Sequence, residues 1–357
     1  MTDHPSASSP PLAVVVLAAG LGTRMKSAVP KVLHEVCGRP MLGYVMDAAL
    51  GVSPDRVVVV VGPGQEAVAE VLPAGCETAV QQERRGTGDA VRAGLEPLAG
   101  FAGDVIVLYG DVPLVRAELV AALLRRHRES GAAATLTTAR LADPAQYGRI
   151  VRDAEDRVAR IVESKDATPV ERRIDEINVG LYAIRSGLLG PALARLRSDN
   201  AQGELYLTDV VHGLIDAEEV VVTFESDDPD VCVGVNSRVE LAAVNASMRR
   251  RLLERLMLAG VTVEDPAATY VDWGVEVGRD TVLLAGTHLA GRTSVGAACE
   301  IGPDSFLRDV VVGDRSRVVS SHLSECTLGV SCKVGPFAST DERHHVEAFL
   351  KRLSAQD

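Results

Sequence analysis

The stretch Leu17 to Lys31 reads LAAGLGTRMKSAVPK, directly behind a short apolar run. Gly20 and Gly22 let backbone N–H groups approach phosphate oxygens closely, while Arg24 and Lys31 add fixed positive charge and Pro30 sets the chain direction before the lysine. Neither common phosphate loop is satisfied. A dinucleotide fingerprint needs a third glycine where Met25 stands, and a Walker A loop needs a glycine at that position before its Lys-Ser pair, here Lys26-Ser27. The remaining chemistry is a polyphosphate held by side-chain cations as well as amides. Standing alone, the same residues would read as a tight turn with solvent-facing cations.

Other stretches converge on that chemistry. QQERRGTGDA (81–90) offers side-chain amides able to read a base edge, then a Gly-Thr-Gly turn able to pass beneath a flat ring. LYGDVP (108–113) ends an apolar run with Asp111, and a carboxylate there suits Mg²⁺, which takes one or two protein groups plus substrate phosphates. YGRIV (147–151), IVESKDA (161–167) and EINVG (176–180) put Gly148, Glu163 and Asn178 at further strand or turn edges, and GVN (234–236) adds Asn236 as a second metal ligand. Taken singly, Glu163 or Asn178 would be an ordinary surface or structural residue.

The elements that must position these groups alternate from 12 to about 225. Strand-like runs at 13–20, 56–62 and 104–111 are apolar throughout, and helical stretches at 41–50, 65–72, 88–99 and 117–128 lie between them. Such strands indicate a mainly parallel sheet covered on both faces, an α/β Rossmann-like domain. Ligands of such folds lie at the carboxyl ends of strands, where both the glycine loop and YGD (109–111) fall. Residues 237–260 read as a longer helix, with Leu241, Val244, Met248, Leu252 and Leu256 three or four apart, Gly260 as a stop, and Arg249–Arg251 on a solvated face.

Beyond this helix the period changes. Val277, Leu283, Leu289, Val295, Ile301 and Leu307 recur every six residues, and Val312-Gly313, Leu328-Gly329 and Val334-Gly335 continue the pattern with register breaks. This is the hexapeptide signature of a β-helix whose every sixth side chain fills a narrow core. Its open end and flat faces call for capping or self-association. The expected organisation is a disordered tail at 1–11, a nucleotide-handling domain at 12–236, a linker helix at 237–260, a short β-helix at 261–338 and a capping or docking helix at 339–357.

Bulk properties narrow the class. The 357 residues are 46% hydrophobic and 24% charged with only 3% aromatic, so the core is largely aliphatic. A net charge of -12 argues against a nucleic-acid binder, which must neutralise a phosphate backbone. The polar start MTDHPSASSPPL lacks a secretion signal, and runs such as VVVVV (57–61) are too short to span a bilayer, so a cytoplasmic protein without membrane association is expected. The six cysteines show no CxxC pair and read as reduced thiols.

With these residues in view, Leu17 to Lys31 fits the signature L-x2-G-x-G-T-x-M-x4-P-K of sugar-1-phosphate nucleotidyltransferases. Together with QQERRGTG, YGDVP, YGRIV, IVESKDA, EINVG, NAQGELYLTD (200–209) and GVNSR (234–238), it closely resembles the uridyltransferase half of the bifunctional bacterial N-acetylglucosamine-1-phosphate uridyltransferases, over about 12–338. The resemblance implies a Rossmann-like nucleotidyltransferase domain followed by a left-handed parallel β-helix. It implies that Leu17, Ala18, Ala19, Gly20, Gln81, Gly86 and Thr87 hold the uridine end of UTP, and that Arg24 and Lys31 act on its phosphates as the catalytic cations. Tyr109, Gly110, Gly148, Glu163 and Asn178 would bind N-acetylglucosamine-1-phosphate, and Asp111 with Asn236 would hold Mg²⁺. In-line attack on the α-phosphorus would release pyrophosphate and give UDP-N-acetylglucosamine. The motif usually written GTGHA reads GTGDA here, with Asp89 in the histidine's place, a change given no weight because the loop glycine and threonine are intact.

In that family the β-helix runs many coils further and carries the acetyl-transfer histidine and coenzyme A contacts. Here STDERHH follows VGPFA (334–338), so uridylyl transfer without acetyl transfer is expected, with a homotrimer weaker than the family's or a monomer. Two other readings fit the same motifs: a nucleotidyltransferase for another sugar-1-phosphate or for dTTP, and a non-catalytic regulatory homologue. The intact phosphate and metal positions separate the chain from the second.

Overall fold

The computed structural model describes residues 9–144 and 146–340. The tail expected at 1–11 falls mostly outside the described residues, as does the helix expected at 339–357 beyond Thr340; its first residues are not helical, since Ser339 forms a parallel bridge with His322 and continues the coil. Two compact units are present: the described residues up to His34 with Pro40–Leu241, and Glu35–Arg39 with the described residues from Ala242 on.

Chain order begins with β1 (Leu12–Leu17), the short ladder β2 (Glu35–Val36) and β3 (Arg39–Pro40), α1 (Met41–Leu50), β4 (Arg56–Val61), α2 (Glu66–Glu70), β5 (Glu77–Val80) and α3 (Thr87–Leu95). It continues through β6 (Asp104–Tyr109), α4 (Ala117–Ser130), β7 (Ala134–Arg140), β8 (Arg149–Arg152), β9 (Val158–Val162), β10 (Glu176–Arg185), α5 (Ser186–Leu193), α6 (Thr208–Asp216), β11 (Val221–Glu225) and α7 (Arg238–Leu258). The main sheet runs β11-β7-β10-β6-β1-β4-β5, with β8 joined to β10 and β9 to β8. β6, β1, β4 and β5 are mutually parallel, whereas β10 lies antiparallel between β6 and β7. Helix α3 stops at Leu95, short of the expected Ala99, since Pro97 bars continuation.

β1 is apolar at every position because both faces are covered. Val14 and Val16 join a core with Leu42, Val45 and Met46 of α1 and Val120 and Leu123 of α4. Ala13, Val15 and Leu17 face the opposite core, with Val91 of α3, Leu189 and Leu193 of α5, and Val210 and Leu214 of α6. Period two therefore appears in the packing although it is invisible in the sequence of a strand buried on both sides.

The second unit carries three parallel sheets of five, four and four short strands. Leu283 pairs with Ile301, Leu289 with Leu307, and Val295 with Val312, so each turn of chain lays three strands on the previous turn. Leu283, Leu289, Val295, Ile301, Leu307, Val312, Val318, Leu323, Leu328 and Val334 are all buried, which adds Val318 and Leu323 to the repeat across its register breaks. Two residues before many of these aliphatics stands a buried hydroxyl: Thr281, Thr287, Thr293, Ser305, Ser316 and Ser321. Thr281 donates to the Gly296 carbonyl at 2.8 Å, Thr287 to Ile301 at 3.0 Å and Ser316 to Gly329 at 2.9 Å. These hydroxyls tie one coil to the next where aliphatic side chains could not satisfy the corner carbonyls.

Along α7, Val244, Met248, Leu252, Leu253 and Leu256 are buried. The expected solvated arginine face is only partly so, because the Arg249 guanidinium lies 4.3 Å from the centre of the Tyr270 ring.

Candidate active site

The parallel strands end together. Leu17 pairs with Tyr109, and the Gly110 N–H donates to the Leu17 carbonyl at 2.9 Å. A Cβ on Gly110 would stand 3.2 Å from that carbonyl and from Val32 Cγ1, a tight fit that a side chain would meet only if these neighbours shifted by a few tenths of an ångström. The Asp111 carbonyl accepts from the Val235 N–H at 2.9 Å, which brings GVN (234–236) against YGD.

Lys31 occupies the centre of this junction. Its Nζ donates to Asp111 Oδ2 and, at 3.1 Å, to Asn236 Oδ1. The Lys31 and Asp111 side chains are only 12% and 15% exposed, so solvent screens their attraction less than at an open surface. The lysine stem lies along the glycine loop: a Cβ on Gly22 (φ +61°) would stand 2.7 Å from Lys31 Cβ, and one on Gly20 3.9 Å from Nζ. Gly20, Gly22, Lys31, Gly110, Asp111 and Asn236 thus come together from four separate segments.

The oxygens of Asp111 and Asn236 converge on one positive charge. One carboxylate and one amide carbonyl form a donor set suited to a hard cation that also binds phosphates. Among the described residues, no group of three or more His, Cys, Asp or Glu could hold a metal unaided. Arg24, by contrast, stands exposed.

Gln81 is reached from β5 and α3. Its N–H donates to the Val61 carbonyl at 2.9 Å, extending the β4–β5 ladder past Val80. Gly86 precedes α3 with φ +116°, and a Cβ there would meet the Leu205 carbonyl at 2.6 Å. The segment 204–207 folds onto this turn: Leu205 N–H donates to the Arg85 carbonyl at 2.6 Å, Gly88 N–H to the Leu205 carbonyl at 2.8 Å, and Leu207 N–H to Thr87 Oγ1 at 3.0 Å. Ala18 and Ala19 are buried, with the Ala18 N–H bonded to the Val60 carbonyl and the Ala19 carbonyl accepting from Arg84 at 2.9 Å.

Gly86→Ala should therefore distort the turn without touching the sheet. A side chain at this φ, pressed on a backbone oxygen, costs about 1–3 kcal/mol. The expected outcome, by thermal melts, is a melting temperature a few degrees below that of the wild type.

Gly148, Glu163 and Asn178 form another cluster. A Cβ on Gly148 would lie 3.6 Å from Asn178 Cβ and from Glu163 Oε1, and the Gly148 carbonyl accepts from the Asn178 N–H at 2.9 Å. The Asn178 side chain is held at both ends, donating to the Tyr182 hydroxyl at 2.6 Å and accepting from the Gly180 N–H at 3.2 Å. Gly180 (φ +90°) lets the Tyr109 ring pack close, since a Cβ would stand 2.9 Å from Tyr109 Cε2. Burial pushes the Tyr109 hydroxyl well above its usual pKa, helped by the Glu163 charge and opposed by a hydrogen bond with Thr87. Burial also raises the Glu163 pKa; the Thr208 hydroxyl, 3.2 Å from Oε1, opposes this, and the charges of Asp209, Asp166 and Glu204 add to it.

Four residues given no role in the sequence reading complete the arrangement: Arg84 on the Ala19 carbonyl, Asp89 on Gln81, Tyr182 on Asn178 and Thr208 on Glu163. Three lie inside or beside quoted motifs, and Tyr182 stands one β-strand repeat beyond Gly180 on the face shared with Asn178. Their roles depend on pairings across the fold that no local spacing encodes.

The family model for MobA-like NTP transferase domains matches residues 14–206. Bifunctional protein GlmU of Mycolicibacterium gilvum is 48% identical over 333 residues, which cover 91% of this chain and 67% of that protein. The GlmU protein of Pelotomaculum thermopropionicum is 49% identical over 327 residues, covering 92% and 72%, and that of Streptomyces avermitilis 47% over 334 residues, covering 92% and 69%. Among solved structures, UDP-glucose pyrophosphorylase in complex with UDP-glucose has the same fold, with a TM-score of 0.55 at 14% identity over 68% of this chain and 99% of that one. A nucleotidyltransferase fold with glycine loop, lysine and strand-end carboxylate in one junction, and near-half identity over nine-tenths of its length, make this chain a member of the GlmU family of nucleotidyltransferases.

Proposed function

We propose that this chain transfers UMP from UTP to N-acetylglucosamine-1-phosphate, giving UDP-N-acetylglucosamine and pyrophosphate. The observation that carries the reading is the Lys31 ammonium bound to both Asp111 and Asn236 against the glycine loop. An oxygen of the sugar phosphate attacks the α-phosphorus of UTP, and the bond to the pyrophosphate oxygen breaks. No protein nucleophile takes part, because such transfers depend on positioning and charge stabilisation. Leu17 to Gly20, Gln81, Gly86 and Thr87 hold the uridine end. Arg24 and Lys31 stabilise charge growing on the leaving pyrophosphate. Asp111 and Asn236 would hold Mg²⁺, which when bound supplies Lewis-acid stabilisation to the phosphate oxygens. Tyr109, Gly110, Gly148, Glu163 and Asn178 hold the sugar phosphate, with Asn178 and Tyr109 pre-set by Tyr182 and Gly180. No acetyl-transfer role is assigned to the described coils.

Purified protein incubated with UTP, Mg²⁺ and a panel of sugar-1-phosphates tests this reading by chromatography of the products. UDP-N-acetylglucosamine should dominate. A different preferred sugar would move the assignment to another member of the class, and no sugar nucleotide at all would remove it.

Glu163 gives a second test through pH. Its folded pKa lies above the unfolded value, so the ionised group disfavours the fold at pH above the folded pKa, and the penalty vanishes below the unfolded one. Glu163→Gln removes that penalty. Its melting temperature should exceed the wild type's at neutral pH, with the gap closing as pH falls through the carboxylate range, while the sugar-phosphate KM rises at least about tenfold. A gap that widens on acidification would contradict the burial cause.

A further inference from the structure

Gln81 is only 5% exposed, and its side-chain amide is held at one end. Nε2 donates to the Gly86 carbonyl at 3.0 Å and to Asp89 Oδ2 at 2.9 Å. Neither partner can donate, since a carbonyl has no hydrogen and a carboxylate only accepts. The flipped amide would set Oε1 against two acceptors, so the orientation follows from chemistry rather than from atom labels. Oε1 is the one polar atom of the Gln81 side chain left to meet a ligand, and it can only accept.

Asp89 is in turn anchored. It is 7% exposed, and its Oδ1 pairs with Arg92, one turn further along α3, which leaves Oδ2 for Gln81. We propose that Asp89 is a positioning residue which, by fixing the Gln81 amide, makes the site select uracil over cytosine nucleotides. Uracil presents N3–H, a donor that Oε1 accepts; cytosine presents a lone pair at N3, which Oε1 repels. A site whose buried polar group is left unpaired or opposed rejects an analogue strongly. The inference rests on the reading above that Gln81 faces the base.

Asp89→Asn tests it. The Asn oxygen turns to Arg92, so its NH2 group faces Gln81 and donates to Oε1, favouring the flipped amide against Gly86. The base then meets a mixture of acceptor and donor. With kcat/KM measured for UTP and CTP on the same sugar phosphate, the UTP:CTP ratio should fall at least about tenfold, equivalent to 1.4 kcal/mol. A merely structural role would lower both values together, so an unchanged ratio overturns the inference, as does a wild type that uses both nucleotides equally. Absence of wild-type turnover with UTP would instead strike the proposed function. Should Asp89→Asn not fold, Arg92→Met, made at a half-exposed side chain, frees the carboxylate from its anchor. It should lower the ratio severalfold, and an unchanged ratio there is equally fatal.

Discussion

Asp111→Asn is expected to lower kcat/KM for UDP-N-acetylglucosamine formation on the order of 10³-fold, about 4 kcal/mol of transition-state stabilisation. Asp111 supplies the carboxylate that pairs with Lys31 in the junction shared with Asn236. Asparagine keeps an oxygen that can accept from Lys31 Nζ, so the hydrogen bond survives while the negative charge does not. The melting temperature should consequently move by only a few degrees, as expected for loss of about 1 kcal/mol in a domain of this size. Activity loss without unfolding is what separates a chemical role from a structural one. Activity within tenfold of wild type would remove Asp111 from the assigned metal position.

Lys31→Met should lower kcat/KM on the order of 10²–10³-fold, the range found when one charge-stabilising donor is removed from a transition state. The methionine can keep the apolar stem contact with the glycine loop, but Asp111 then loses its cation in a setting only 15% exposed. A stability loss of a few kcal/mol therefore accompanies the kinetic one. Lys31→Arg is not expected to rescue turnover. The stem passes 2.7 Å from the position of a Cβ on Gly22, and a planar guanidinium cannot reproduce a point charge directed at both Asp111 and Asn236. Steady-state kinetics beside thermal melts of both variants checks the two parts separately.

Much of this was legible in the sequence, for physical reasons that differ from element to element. The solenoid core is readable because Leu283, Leu289, Val295, Ile301 and Leu307 must recur at one spacing to stack, and they are buried, whereas Val277 at the head of the same run is only half-buried. Its second ladder, Thr281 to Ser321, is less readable because threonine and serine are common in turns; only their burial and their bonds to the next coil distinguish them. The strand-end chemistry around Lys31 and Asp111 is legible as motifs, since glycine, cation and carboxylate each follow an apolar run. The bond between Lys31 and Asn236 spans 205 residues and depends on the Val235 N–H finding the Asp111 carbonyl. Asp89 illustrates the opposite case. As a single departure from a motif it carries no weight, yet its carboxylate faces the very amide that the same motif supplies. The antiparallel course of β10 also escapes a reading based on alternation, because a strand buried on both faces looks alike in either direction.

The most direct test of the central claim follows the α-phosphorus itself. Wild-type protein is incubated with N-acetylglucosamine-1-phosphate, Mg²⁺ and UTP carrying one radiolabel at the α-phosphate and a second at the γ-phosphate. Uridylyl transfer predicts the α-label in UDP-N-acetylglucosamine and the γ-label in pyrophosphate, in equal amounts and only when the sugar phosphate is present. A γ-label appearing in inorganic phosphate or on the sugar, with no α-label in a sugar nucleotide, would contradict it.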